Sequence, residues 1–425
     1  MKYIIQSVKG TREFYPDEMA VRNWLLQNIK AVSALYGYQE YDGPFIESID
    51  LYAAKSGEEL VKEQAFVFKD RGGKLVTLRP ELTPSLARMV AQRQHQLDYP
   101  LRWWSFGPFW RYEKPQKGRS REFFQWNIDL VGIDSPMADA EIISICAEFF
   151  RMIGLLPSEV KVLVNDRILM DTAIQSSGIS LDMKKNVLNL IDKIDKFESR
   201  AWEEYALEQG LSSVQLDKLI HVLHDEDLYK QSTTLTSVME LLDAHGVGDY
   251  IQFDAKVVRG LDYYTGVVFE ARDVGENARA ILGGGHYDNL VEDIGGDPLA
   301  GVGFAMGDVV LPILVEEMGK MPGFAISPAQ VIVTVFDDEM LNDSVLIAKR
   351  LRDAGIRTQV YPQTAKLGKQ FKFAGKYAIP YAIVYGPDEA EKGIVQLKNL
   401  QTREQEIVLI DGMVERIKGR VLKNK

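Results

Sequence analysis

Seven residues in the middle of the chain, Val258-Arg-Gly-Leu-Asp-Tyr-Tyr264, put a cation, an acid and two tyrosines on a turn ahead of a β-rich run, Val267-Val-Phe269. An apolar core has no use for that combination. A pocket that holds a polar, planar ligand and offsets developing negative charge does, although the segment alone also reads as a surface turn with one ion pair. A second cluster runs from Phe109 to Gln125 and carries Arg111, Lys114, Lys117, Arg119 and Arg121 between aromatic stretches. Guanidinium groups make bidentate bonds to phosphate and aromatic rings offer a base a stacking face, so this loop suits an anion clamp; the alternative is a solvated hairpin tip. Arg79-Pro-Glu-Leu-Thr83 sets Glu81 and Thr83 beside a helix start, able to meet an ammonium group or simply to cap the helix. Gln125 and Asp129 are four apart, which on a strand puts both on one face. Leu282-Gly-Gly-Gly-His-Tyr-Asp288 is a glycine run whose backbone can approach a ligand closely. Gly301-Val-Gly-Phe-Ala-Met-Gly307 fits a strand passing behind a flat ligand and turning into a helix.

These groups need elements to hold them. Asp17 to Leu35 has helical periodicity at Val21, Trp24, Leu25, Ile29 and Val32, with Asp17 as the expected cap. Pro44-Phe-Ile-Glu starts a strand, and Phe66–Asp70 with Lys74–Arg79 makes a hairpin across Arg71-Gly-Gly73. Thr83-Pro84 opens a helix to Gln94, with Thr83 as its cap. Leu101–Phe106 and Phe109–Tyr112 read as two strands, and Glu122–Val131 as a third. From about 165 to 245 the pattern is helix after helix, and strands resume from Ile251 to Gly285. Beyond the linker bracketed by Pro322-Gly323 and Pro328, strands at Val331, Thr358, Tyr381 and Ile394 alternate with helices at 342–354 and 368–378, the mark of a small parallel or mixed sheet.

A chain of 425 residues, 46% apolar and 26% charged, implies a globular protein of two or three domains. It has no long uncharged apolar run and its start lacks the features of a signal peptide, so a cytoplasmic protein with no membrane span is expected. The single cysteine, Cys146, lies in an apolar run and reads as a buried small residue. It allows no disulfide, and the five histidines show no metal-ligand spacing. The net charge of −11 argues against a nucleic-acid partner until its distribution is seen: Ser327 to Lys425 holds 16 Lys/Arg against 12 Asp/Glu. Within that basic part Lys366, Lys369, Lys372 and Lys376 fall on about one helical face, with Phe371 and Phe373 interleaved, a pattern suited to RNA contact. A solvated helix face is the plainer account of any one lysine.

In this order, Lys9-Gly-Thr-Arg12, the Pro44 segment, Arg79-Pro-Glu81, the Phe109–Gln125 loop, the Val258–Tyr264 cluster and Gly283-Gly-Gly-His-Tyr-Asp288 resemble the histidyl-tRNA synthetase family of class II aminoacyl-tRNA synthetases over essentially the whole chain. The resemblance implies an α+β fold: a six-stranded antiparallel catalytic sheet flanked by helices in residues 1–325, with a helical insertion at about 165–245. It also implies a C-terminal α/β anticodon-binding domain in 326–425, and a homodimer. The implied activity is ATP-dependent ligation of L-histidine to tRNA(His) through a histidyl-adenylate. By that resemblance Glu81 and Thr83 would hold the substrate amino group and Gln125 the carboxylate side. Asp129 and Tyr264 would meet the imidazole, with Tyr263 and Tyr287 beside them. Arg259 would offset charge where carboxylate meets α-phosphate, Arg111 and Glu113 would grip the α-phosphate and adenine, and Arg119 the terminal phosphates. Mg2+ would bridge those phosphates without a protein metal site.

Three positions depart from the family pattern. Asp129 stands where glutamate is usual and His286 where arginine is usual. After Gly307 the chain reads Asp308-Val309-Val310 where the class has a Glu-Arg pair whose arginine packs on adenine and binds the γ-phosphate. The alternative expectation is therefore an inactive histidine-binding paralogue resembling the regulatory subunit of ATP-phosphoribosyltransferase. The complete Arg259–Tyr264 cluster and the added C-terminal domain argue for the ligase.

Overall fold

Pro16 opens α1 (Pro16–Leu35) at the first helical position, where its missing N–H costs nothing. Asp17 is therefore inside the helix rather than its cap, and Glu18 Oε2 accepts the Tyr15 N–H at 2.6 Å instead. The computed structural model describes residues 4–53, 64–115, 118–194, 197–258, 263–275 and 279–421. The described residues fall into two compact units, Met1–Met321 and Pro322–Lys425.

In the first unit α1 is followed by β1 (Gln39–Glu40), β2 (Ile46–Ser48), α2 (Asp50–Ala53), β3 (Phe66–Lys69) and β4 (Leu75–Leu78). Strands β2, β4 and β3 make a small antiparallel sheet. Next come α3 (Thr83–Arg93), β5 (Leu101–Trp110), β6 (Glu122–Val131), α4 (Pro136–Met152) and β7 (Val160–Asp166). The two strands expected around Gly107-Pro108 are one, because the proline ring sits where no ladder bond is needed. Trp110 N and the Pro108 carbonyl both turn away from β6, bonding Arg79 O at 3.1 Å and Arg79 Nε at 3.0 Å. Period-two alternation turns the Pro108 nitrogen the same way.

Five helices follow: α5 (Arg167–Ser176), α6 (Lys184–Asp192), α7 (Ser199–Glu208), α8 (Ser213–His224) and α9 (Thr233–Ala244). They share one apolar core with α1, α4 and the main sheet. Strands β8 (Ile251–Phe253), β9 (Val267–Asp273), β10 (Ala280–Tyr287) and β11 (Gly301–Gly307) then lead into α10 (Val310–Glu317). The main sheet runs β1-β5-β6-β11-β10-β9-β7-β8. Its six central strands are antiparallel, as expected, but β1 and β8 add a parallel strand at each edge. Those two edge strands are only two and three residues long, too short to show period-two patterning. One face of the sheet carries α4, which buries eleven residues including Cys146; the other face is left for the site.

The second unit holds β12 (Val331–Val333), α11 (Leu341–Asp353), β13 (Thr358–Val360), α12 (Leu367–Lys376), β14 (Tyr381–Val384), α13 (Pro387–Lys392), β15 (Ile394–Asn399), β16 (Gln405–Leu409) and α14 (Met413–Val421). Its sheet, β13-β12-β14-β15-β16, is parallel across its first three strands and antiparallel across the rest. The last strand was expected at Ile394, so β16 and α14 come as additions. Ile407 and Leu409 of β16 point to solvent, which blurs the alternation a reader would look for.

Candidate active site

Arg79 fixes the first wall of the site. It is fully buried, its guanidinium carbon lies 4.5 Å from the ring centroids of both Phe45 and Phe109, and it bonds Asp42, the Gly43 carbonyl and the Pro108 carbonyl. That brace ties the segment before α3 to β5 and sets Glu81 at the helix entrance. Leu82 is the residue before the helix and Thr83 its first, so the Thr83 hydroxyl does not cap it. The hydroxyl instead hydrogen-bonds Tyr263, whose pKa is raised by burial and by neighbouring Tyr264 and Glu81.

Strand β6 supplies the floor. Gln125, Asn127 and Asp129 alternate onto one face, and all three line a cavity of about 450 Å³ with Glu81, Thr83, Tyr263, Tyr264 and Tyr287. Asp129 accepts the Tyr287 hydroxyl at 2.9 Å. Burial pushes the Asp129 carboxyl up to about 7, against that hydrogen bond. The glycines of β10 and β11 do more here than admit a ligand. A Cβ on Gly303 would lie 2.2 Å from Asp129 Oδ1, and one on Gly285 would lie 2.8 Å from the Tyr264 ring. Glycine at those two places lets the acid and the phenol seat against the sheet. Asn127, which sequence reasoning passed over, is buried with its Nδ2 unpaired. The strand alternation that picked out Gln125 and Asp129 also points to it.

Behind that wall His286 faces away from the cavity. Its Nδ1 lies 2.9 Å from Asp139 Oδ1, and its Nε2 lies 3.1 Å from Asp288 Oδ1 and 3.8 Å from Asp134 Oδ1. Burial alone would lower its pKa, but Asp139 first, then Asp288 and Asp134, outweigh burial and push it up to about 9.

The other end of the cavity is basic. Arg111 and Arg119 line it. Arg111 is held by a 3.0 Å bond from its Nε to the Pro80 carbonyl and lies over Phe123. Arg119 is mostly exposed, 3.5 Å from Glu113. At the start of α10, Asp308 accepts from Arg12 at 2.8 and 2.9 Å and from the Phe124 N–H at 2.9 Å, so it serves the framework. Val310 packs beside Gly118 of the basic loop. Arg259 and Lys117 lie outside the described residues. Among the described residues no group of three His, Cys, Asp or Glu side chains could hold a metal ion.

In the second unit Lys366, Lys369, Lys372 and Lys376 are all exposed at α12. The interleaved aromatics do not share that face: Phe371 and Phe373 pack inward against Tyr361, Ala374 and Ile379. Helical spacing accounts for this, since 370 and 374 form the buried stripe and 371 and 373 flank it on either side.

A sequence model described as histidyl-tRNA synthetase matches residues 10–308, and one described as an anticodon binding domain matches 330–420. The chloroplastic/mitochondrial histidine--tRNA ligase of Arabidopsis thaliana is 37% identical over 95% of this chain and 85% of its own. The histidine--tRNA ligase of Leptospira biflexa is 36% identical over 99% of both chains. The crystal structure of histidyl-tRNA synthetase from Nostoc sp. PCC 7120 superposes with a TM-score of 0.84 at 26% identity, covering 99% of this chain and all of that one.

Proposed function

This chain belongs to the histidyl-tRNA synthetase family, and from that premise we propose that it ligates L-histidine to tRNA(His) in two steps at the cavity on the open face of the sheet. The observation that carries the reading is one cavity whose far end is lined by buried Glu81, Asp129 and Tyr287 and whose near end is lined by Arg111 and Arg119. Glu81 and Thr83 hold the substrate ammonium. Gln125 orients the carboxylate, and Asp129 with Tyr264 and Tyr287 takes the imidazole. A histidine carboxylate oxygen attacks the α-phosphorus of ATP, the bond to the β-phosphate breaks, and pyrophosphate leaves. Arg111 and Arg259 offset the charge that grows on the α-phosphate, Glu113 meets the adenine, and Arg119 holds the departing phosphates. A hydroxyl of the terminal tRNA ribose then attacks the activated carbonyl and AMP leaves.

Mg2+ enters this reading with the nucleotide. When bound it would neutralise charge on the phosphate oxygens, and no step is assigned to it. The exposed lysine face of α12 is the proposed tRNA contact of the anticodon-binding unit. The apolar residues left exposed at Ile4, Ile5 and Val8, and on the small sheet at Phe45, Ile46, Val67, Phe68 and Leu75, are proposed to be covered by a second copy in a homodimer. The cytoplasm is the proposed compartment, and no helix among the described residues is long and apolar enough to cross a membrane.

Histidine-dependent ATP–pyrophosphate exchange without tRNA tests the central claim. Exchange is expected; histidine binding without exchange would favour the regulatory paralogue that Val309 and Val310 suggest. A double Lys369→Glu, Lys372→Glu variant should raise the KM for tRNA about tenfold or more and leave exchange unchanged, as phosphate contacts away from the reacting atoms would. Equal losses in both assays would remove those lysines from the tRNA surface.

A further inference from the structure

We propose that His286 is a positioning residue for the amino-acid end of the cavity, a buried cation that clamps strand β10 and the Tyr263–Gly266 segment from the covered face of the sheet. The inference rests on the proposed function for what the cavity holds.

Strand alternation puts Tyr287 on the cavity side and His286 on the other. There both of its ring nitrogens face carboxylate oxygens, Asp139 at 2.9 Å and Asp288 at 3.1 Å. A neutral imidazole has one N–H and could satisfy only one of them; the imidazolium satisfies both. Asp139 comes from the first turn of α4, Asp134 from the segment before it, and Asp288 directly follows β10. Asp166 at the end of β7 also acts on Asp139. His286 is the cation that meets this group of acids through both of its ring nitrogens. Its raised pKa agrees with that role.

The consequences reach the cavity through two short paths. The His286 carbonyl accepts the Thr265 N–H at 2.9 Å, and a Cβ on Gly266 would lie 3.4 Å from His286 Cβ, so the residues that follow Tyr264 rest on His286. Tyr287 is its direct neighbour in the strand and donates to Asp129 at 2.9 Å. A shift of His286 would therefore displace Tyr264 and Tyr287 together, and with them the donors and acceptor that read the imidazole. An arginine could make the same two contacts with a permanent charge. This agrees with arginine being the residue the family resemblance leads one to expect here.

The test compares wild type, His286→Ala and His286→Arg by calorimetric titration with L-histidine, pyrophosphate exchange, melting temperature and pH. The alanine variant should bind histidine about tenfold or more weakly, with a smaller loss of kcat at saturating histidine. The arginine variant should recover affinity to within about threefold. Between pH 8 and 10 wild-type affinity should fall more steeply than that of His286→Arg, because loss of the substrate ammonium is common to both and loss of the imidazolium is not. If the alanine protein does not fold, His286→Gln takes its place with the same expectation. Wild-type affinity in the alanine or glutamine variant would overturn the proposal. So would an arginine variant with wild-type melting temperature that recovers nothing. Histidine binding by wild type without exchange would defeat the proposed function, while the affinity comparison would still decide this one.

Discussion

The two ends of the cavity are built on different principles. The proposed histidine end is buried and cross-bonded: Asp129 and Tyr287 sit among close neighbours, with glycines at 303 and 301 making room for them and His286 behind the wall. The proposed nucleotide end presents Arg111, anchored by one backbone carbonyl, and Arg119, largely in solvent. Rigid, desolvated groups discriminate between small ligands of similar size, because a wrong ligand leaves buried polar atoms unpaired. Solvent-exposed cations on a loop attract a polyanion at little desolvation cost and take up their final geometry around it. Under the proposed function, selectivity is prebuilt at one end and charge stabilisation at the other is completed by the nucleotide itself.

The largest effect that would test this contrast is expected from Arg259→Ala. Adenylate formation should fall about 10³-fold or more, near 4 kcal/mol, while histidine affinity stays within about tenfold, because the charge it offsets grows in the transition state. Near-normal exchange in that variant would remove the assigned role.

Asp129→Asn should come next, weakening histidine binding by roughly 10- to 100-fold through the lost charged hydrogen bond. It also carries a stability signature. A carboxyl whose folded pKa is about 7 holds its proton in the folded state where the unfolded chain, near 4, has released it. Stability therefore falls as pH rises from about 4 through 7, and a buried charge remains above that. The asparagine variant should melt a few degrees higher than wild type at pH 8, with the gain gone by pH 4. A melting temperature lowered at pH 8 would contradict the burial argument.

The smallest effect should come from Val310→Arg, which returns a cation to the start of α10 beside Gly118. Several-fold tighter ATP binding with unchanged histidine affinity is expected, on the order of 1 kcal/mol for an added solvent-facing ion pair. No change in the KM for ATP would show that Arg111 and Arg119 already suffice.

The residues themselves show how far a reader of the sequence could go. Gln125 and Asp129 were legible as cavity partners because β6 is long and its period is strict; Asn127 obeyed the same period and was overlooked for want of a charge. The roles of Thr83 and Asp17 were misjudged because capping residues are read from type, whereas the caps lie earlier, at Leu82 by one residue and at Tyr15 by two. Phe371 and Phe373 looked available to RNA until the fold was seen to pack them, half-buried, against the sheet side of the helix. His286 read only as a departure from arginine, since its three carboxylate neighbours come from Asp134, Asp139 and Asp288 and only the last is close in the chain.

By itself, then, the sequence determined the family, the element order and the chemical types at the cavity, because periodicity and local spacing are written residue by residue. The tertiary structure decided which charges are buried, which glycines make room, and that a histidine on one strand balances acids on another segment. Those depend on which atoms long-range packing brings within a few ångströms and shields from water, and no local pattern encodes that.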